Sequence, residues 1–267
     1  MRTFTALLRA SHPAPTLVVT LLAGLLAVGA GHRPGAAVFI ALTVASGQLV
    51  IGWSNDLLDE RRDRAVHRVD KPLVTGALRR RTLIVALAAA GLVCLVLSGM
   101  LGTAAGSAHL LLVASGLAYN AGVKSTLWSW VPYALAFAAL PAVPWLALQP
   151  PAWPPAWMLA VGALLGMGAH LVNVDPDLAD DAATGVRGVG HRLGARAAGG
   201  LAVAAFAAGT AVSVLGPEGP VPAWAWAVLI LAGAVGTAAV VSGGRRPFHG
   251  AMAIAILNVV MLLVRMP

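Results

Sequence analysis

Apolar positions in this 267-residue chain gather into long runs, and the polar positions are pressed into the short segments between them. Each run has about the 17–25 residues that a helix needs to cross a bilayer. Nine such runs lie near 15–31, 35–55, 82–101, 103–121, 127–148, 156–174, 196–215, 222–241 and 247–264. Pro150, Pro151, Pro154 and Pro155 punctuate the chain before the sixth run. Pro217, Pro220 and Pro222 do so between the seventh and eighth. The pattern predicts an all-α fold: a multi-span membrane helical bundle of about nine transmembrane helices, taken as one membrane domain over 1–267. The first run lacks a convincing cleavage site and is expected to stay as a helix. The 30 glycines suit close approach of helices in lipid.

Composition sharpens the class. Hydrophobic residues are 59% of the chain and charged residues only 10%, against about 25% in soluble domains. The single Cys94 lies inside an apolar run, which excludes a disulfide framework and leaves it a packing role. The net charge of +8 would fit nucleic acid, but its placement says otherwise. With the N-terminus inside, all of the 18 basic residues except Arg33 and Arg265 fall on the cytoplasmic side. The eight Trp residues fall near span ends, as an interfacial belt does. The basic excess is therefore an orientation signal, and no nucleic acid and no obligate protein partner are expected. The Ala-, Gly- and Arg-rich composition points to a bacterial plasma membrane, with the N-terminus and the polar loops cytoplasmic.

The acids sort the same way. Asp56, Asp59, Glu60, Asp63 and Asp70 follow the second run; Asp175, Asp177, Asp180 and Asp181 follow the sixth; only Glu218 lies elsewhere. Asn55, Asp59 and Asp63 read N-x-x-x-D-x-x-x-D, and Asn173, Asp177 and Asp181 repeat it 118 residues later. Residues four apart share a helix face, rising about 6 Å per step. An even number of helices separates the two sets, so both face one side: a pseudo-repeat of acid-bearing helix-loop units around 48–76 and 168–194. Pro176 interrupts the second ladder, making Asp175 an N-cap and leaving Asn173 less firmly placed. A solvated loop with local pairs such as Glu60–Arg64, worth about 0.2–0.5 kcal/mol, does not account for two matched sets. An Asp at the bilayer centre costs about 2.5–3.5 kcal/mol, so the acids belong at a membrane edge or a wet cavity.

Clustered carboxylates call for a cation, and oxygen-only ligands favour Mg2+ over zinc. Mg2+ takes one or two carboxylates, keeps water, and completes its shell with substrate phosphate. Asp56, Asp59, Asp63, Asp177 and Asp181 are the candidate metal ligands. Arg68, Lys71, Lys124 and Arg187 complement the phosphate charge. Acids for metal, bases for phosphate and an apolar cavity beneath a polar cap describe a site for a lipid diphosphate.

At these residues the chain resembles the UbiA superfamily of intramembrane prenyltransferases. NDLLDERRDRAVHRVDKPLVTG (55–76) is similar to the first signature through Asn55, Asp56, Asp59, Asp63, Arg68, Lys71-Pro72 and Gly76. NVDPDLADDAATGVRGVGHRLG (173–194) is similar to the second through Asp177, Asp181, Gly185, Arg187 and Gly194. YNAGVK, with Tyr119 and Lys124, resembles the polar loop after the fourth helix. Two departures stand out: Lys71 replaces a commoner Arg, and Gly188 stands where Thr is frequent.

The resemblance implies Mg2+-dependent ionisation of an allylic prenyl diphosphate and transfer of the prenyl group to an aromatic or lipid acceptor. Asp59, Asp63, Asp177 and Asp181 would be catalytic. Asn55, Asp56, Arg68, Lys71, Tyr119, Lys124, Asn173 and Arg187 would bind substrate. Trp53, Tyr119, Trp128 and Tyr133 are candidates to steady the cation. Gln48 and His170 are acceptor-pocket candidates, with interhelical hydrogen bonding as their competing role. GVRGVG (185–190) is too poorly spaced for a dinucleotide loop. A UbiA-type terpene cyclase keeps the same acids and stays open at this level, as does transfer of a polyprenyl-phosphate sugar precursor. A CDP-alcohol phosphotransferase lacks its DGxxAR signature here, and a cation transporter would carry acids near the midplane.

Overall fold

The computed structural model describes residues 2–174, 187–242 and 246–267. The second acid set, Asp175, Asp177, Asp180 and Asp181, lies outside the described residues together with Gly185 and Arg245. Every regular element among the described residues is a helix: α1 (Arg2–Ala10), α2 (Pro13–Gly29), α3 (Pro34–Ala65), α4 (Arg80–Met100), α5 (Thr103–Asn120), a 3-10 turn (Val123–Ser125), α6 (Val131–Leu146), α7 (Ala156–Val174), α8 (Val189–Leu215), α9 (Ala223–Ser242) and α10 (Arg246–Val264).

All nine predicted apolar runs carry a helix. Length and composition alone make five of them capable of crossing a membrane: Pro34–Ala65, Arg80–Met100, Ala156–Asn173, Val189–Leu215 and Ala223–Ser242. The bent pair α1–α2 is a sixth if counted as one span, while Val131–Leu146 and His249–Val264 are shorter. Nine is thus a count of helices at the expected places rather than of crossings shown. Large apolar side chains face outward along these helices, among them Leu17, Leu21 and Leu25 on α2 and Leu92, Leu95 and Val96 on α4. Surfaces of that kind are stable against lipid tails and not against water, and the chain is an integral membrane protein.

The chain forms two compact units, Met1–Gly122 with Val143–Ala152, and Val123–Ala142 with Trp153–Pro267. In the first unit α3 is the hub, packing on α1, α2, α4 and α5. Ala27, Ala37, Ile40 and Val143 form one buried cluster there. In the second unit α8 is the hub, packing on α7, α9 and α10. Val214, Ala225 and Met261 are buried together.

Two elements exceed the sequence expectation. At about 1.5 Å per residue, 32-residue α3 is roughly 48 Å long, well beyond a hydrocarbon core of about 30 Å. The predicted run ends at 55, but the helix continues to Ala65 and carries the first acids out of the apolar zone. Arg62 and Arg64 in its last turn suit the negative end of the helix dipole. The second addition is α1, which no apolar run announced. It buries Ala6 and Ala10, exposes Phe4 and Leu8, and meets α2 at 68°.

Candidate functional site

Asp56, Asp59, Glu60 and Asp63 of the first acid set occupy the last three turns of α3, and Asp70 lies in the loop after it. Asp56, Asp59 and Asp63 are all buried, and Asn55 is half-buried. Asn55 Nδ2 donates to Asp59 Oδ2 (3.0 Å) and to Asn120 Oδ1 (3.3 Å). Arg62 Nη2 donates to the same Asp59 oxygen at 2.8 Å. Asn120, the last residue of α5, also donates to Ile51 O and to Ser54 Oγ, both at 2.9 Å. These bonds clamp α5 to α3 one turn below the acids. Asp63 feels the positive charges of Lys71, Arg62 and Arg68 and the like charge of Asp59.

The loop after α3 folds back over this set. Leu73 and Leu78 bury against Ala6, Ala10 and Leu83, with Leu7, Trp53 and Leu57 packed alongside, so α1 is the floor on which the loop rests. Arg64 Nη2 donates to Leu73 O at 3.0 Å. Gly76 turns at φ 75, where a side chain would strain the backbone. This delivers Lys71, itself buried, to Asp56, with Nζ 2.6 Å from Oδ1. Arg68 makes a bidentate pair with Asp70 (2.9 and 3.0 Å) and holds that carboxyl below the usual carboxylate range. Glu60 binds Arg64 at 3.0 Å and also Arg80, joining α3 to the start of α4. Two of the four cations expected to meet phosphate, Arg68 and Lys71, are therefore engaged by Asp70 and Asp56.

In the second unit, Lys124 is buried in the 3-10 turn and Arg187 is exposed, its carbonyl accepting from Arg192 Nε at 3.2 Å. His170, on α7, is fully buried with Nε2 3.0 Å from Ser129 Oγ, which in turn accepts from the Val189 backbone N–H at 3.1 Å. Its ring lies 5.3 Å from that of Tyr133, and Tyr133 Oη accepts from Asn173 Nδ2 at 3.3 Å. His170 thus ties α7 to the start of α8. Gly188 explains its own departure from the family pattern: a Cβ there would meet the Lys124 carbonyl and Ser129 Oγ. Gly188→Thr should lower the melting midpoint of the purified protein, corresponding to about 1–3 kcal/mol of overpacking. A variant melting like the parent would show that this contact yields. Gly194 is left-handed at φ 75 inside α8, a break that glycine permits.

Of the remaining candidates, Gln48 and Tyr119 are half-buried on α3 and α5. Trp53 Nε1 donates to Leu7 O at 2.9 Å, which fixes α1, and Trp128 is exposed. Sequence reasoning passed over three residues: His12, Asn120 and Ser129. Asn120 adjoins Tyr119 in YNAGVK, and His12 opens the polar HPAP before the first span, so both left a faint signal; Ser129 left none.

Among the described residues no three His, Cys, Asp or Glu side chains converge on one point. Yet Asp56 Oδ2 is buried with no hydrogen-bond partner among the described residues, an acceptor awaiting a cation or its water. Three buried carboxylates in three turns are hard oxygen donors, and Mg2+ needs only one or two carboxylates beside water and phosphate. The donor set fits that ion.

A sequence profile described as the UbiA prenyltransferase family matches residues 16–260. No curated protein matches the chain. Among solved structures, a UbiA homolog from Archaeoglobus fulgidus bound to GPP and Mg2+ superposes with TM-score 0.70 at 17% identity, covering 97% of this chain and 98% of that one. The same homolog bound to DMAPP and Mg2+ gives 0.70 at 16%, covering 97% and 98%. A structure concerned with digeranylgeranylglyceryl phosphate synthase in membranes gives 0.72 at 13%, covering 99% of both chains. At these identities the likeness is one of fold.

Proposed function

The chain belongs to the UbiA prenyltransferase family, and from that premise we propose that it ionises an allylic prenyl diphosphate with Mg2+ and transfers the prenyl group to a small-molecule or lipid acceptor. The observation that carries this reading is the buried carboxylate set Asp56, Asp59 and Asp63 at the end of α3, with an oxygen of Asp56 left unpaired among the described residues. The structural neighbour that binds GPP and Mg2+ supports the same chemistry.

Asp59 and Asp63, with Asp56, Asp177 and Asp181, would hold the ion. Bound there, Mg2+ would supply charge to offset the diphosphate and make it a better leaving group. Lys71, Arg68, Lys124 and Arg187 supply positive charge to the diphosphate oxygens, Lys71 with a further N–H while it stays on Asp56 and Arg68 by loosening its grip on Asp70. Asn55 orients Asp59, Asn173 is the matching substrate-binding residue of the second motif, and Tyr119 lies beside Asn120 at the end of α5. The apolar helices hold the prenyl chain and keep water from the cation. The site faces the cytoplasm of a plasma membrane, where the positive-inside pattern puts these loops.

A terpene cyclase would use the same acids, so the products decide between the two. Purified protein, Mg2+ and prenyl diphosphates of several lengths are incubated with and without an aromatic or lipid extract. Transfer gives slow diphosphate release alone and a prenylated adduct with extract. A cyclic hydrocarbon or alcohol formed efficiently without acceptor would replace transferase by cyclase.

A further inference from the structure

The elbow between α1 and α2 is built around one side chain that the motif chemistry does not include. His12 sits at the break with φ 54 and ψ 68, a left-handed conformation uncommon outside glycine, though less so for Asn, Asp and His. As N-cap of α2 it makes no side-chain capping bond, so capping does not account for that backbone. Its ring reaches instead across to α3, with Nε2 3.1 Å from Asp56 Oδ1 and 3.3 Å from Lys71 Nζ. A carboxylate oxygen can only accept, so Nε2 bonds to Oδ1 in the tautomer that carries its proton there; Lys71 Nζ also donates to Oδ1, at 2.6 Å, and two donors from separate segments then converge on one oxygen.

The surroundings hold the ring there. Trp53 Nε1 donates to Leu7 O at 2.9 Å, Ser11 Oγ to Leu8 O at 2.8 Å, and Thr16 Oγ1 to Ser11 O at 2.7 Å. Gly52, one turn before Asp56, lets the elbow lie on α3: a Cβ there would stand 2.6 Å from Ser11 O. The imidazole is 40% exposed and the carboxylate it touches only 2%, so His12 closes the outer side of a buried pair.

We propose that His12 is a positioning residue for the first acid set. A lysine ammonium is a compact charge on a flexible stem and can take either oxygen of a carboxylate, whereas a second donor held on the same oxygen fixes which one. With His12 beside it, Lys71 is confined to Oδ1, and Asp56 Oδ2, which has no partner among the described residues, is turned toward the cation or its bound water. The inference rests on the reading of these acids as a metal and diphosphate site.

The test measures cation binding apart from turnover. Thermal stabilisation of the detergent-purified protein is titrated with Mn2+, as a stand-in for Mg2+, in the presence of inorganic diphosphate. His12→Ala should raise the half-saturating Mn2+ concentration about 10–100-fold, the usual consequence of losing a group that orients a metal ligand. His12→Gln, which keeps an N–H donor, should recover most of the loss. Equal Mn2+ dependence in parent and His12→Ala would overturn the proposal. So would an equal loss in His12→Gln, or a lower melting midpoint in His12→Ala with no change in half-saturation, since either describes a structural elbow only. If the parent itself shows no cation-dependent stabilisation, the metal-site reading fails first, whatever the variants do.

Discussion

Replacing Asp63 with alanine should lower turnover of an allylic prenyl diphosphate by about 100–10,000-fold while the protein still inserts and folds. Metal-assisted stabilisation of a departing diphosphate is worth several kcal/mol, and about 1.4 kcal/mol is tenfold in rate. Asp63 is buried among Lys71, Arg62 and Arg68. Its loss leaves a more positive site that still attracts diphosphate, so kcat should fall far more than KM rises. Asp63→Asn, which keeps the shape and removes the charge, should behave alike. Diphosphate release by each variant, at matched levels of folded protein, is the measurement. Wild-type kcat in either variant would remove Asp63 from the reaction.

Stripping divalent cations with a chelator should abolish turnover outright, and Mg2+ should restore it. Asp56, Asp59 and Asp63 repel one another when ionised, and the described cations engage them only in part: Lys71 with Asp56, Arg62 with Asp59. The chelated protein should therefore also melt at a lower temperature than the Mg2+-loaded protein with diphosphate present. Full turnover after chelation would mean that the acids serve the fold alone.

What the sequence revealed followed from scarcity. In a chain this apolar, the bilayer dictates the length of each run, so nine helices lie where the runs predicted them. With ten acids in all, nine of them in two places, the first site was visible as a motif before any geometry. The helix α1 was not, because nine residues with Arg2, Thr3, Thr5 and Arg9 present no spanning run. Its stability comes from packing Ala6 and Ala10 under Leu73 and Leu78, across more than sixty residues. His12 escaped for the same reason: its partner Asp56 is 44 positions away, and a lone polar residue at an elbow has no period. Lys71 was assigned to phosphate from its charge, and only the fold shows that it first holds Asp56. Gly188 looked like a lost hydroxyl, yet the Lys124 carbonyl leaves no room for the side chain that would carry one. By sequence His170 is a candidate acceptor contact; its bond to Ser129 supports the competing interhelical role.

The central claim is metal-dependent ionisation of an allylic diphosphate at these acids. Reconstituted protein should be given geranyl diphosphate or its saturated analogue, each with and without Mg2+, and diphosphate release followed over time. Only the allylic compound can yield a stabilised cation, so release is predicted from geranyl diphosphate with Mg2+ and from none of the other three mixtures. Release from the saturated analogue at a comparable rate, or from geranyl diphosphate without a divalent ion, would contradict the account.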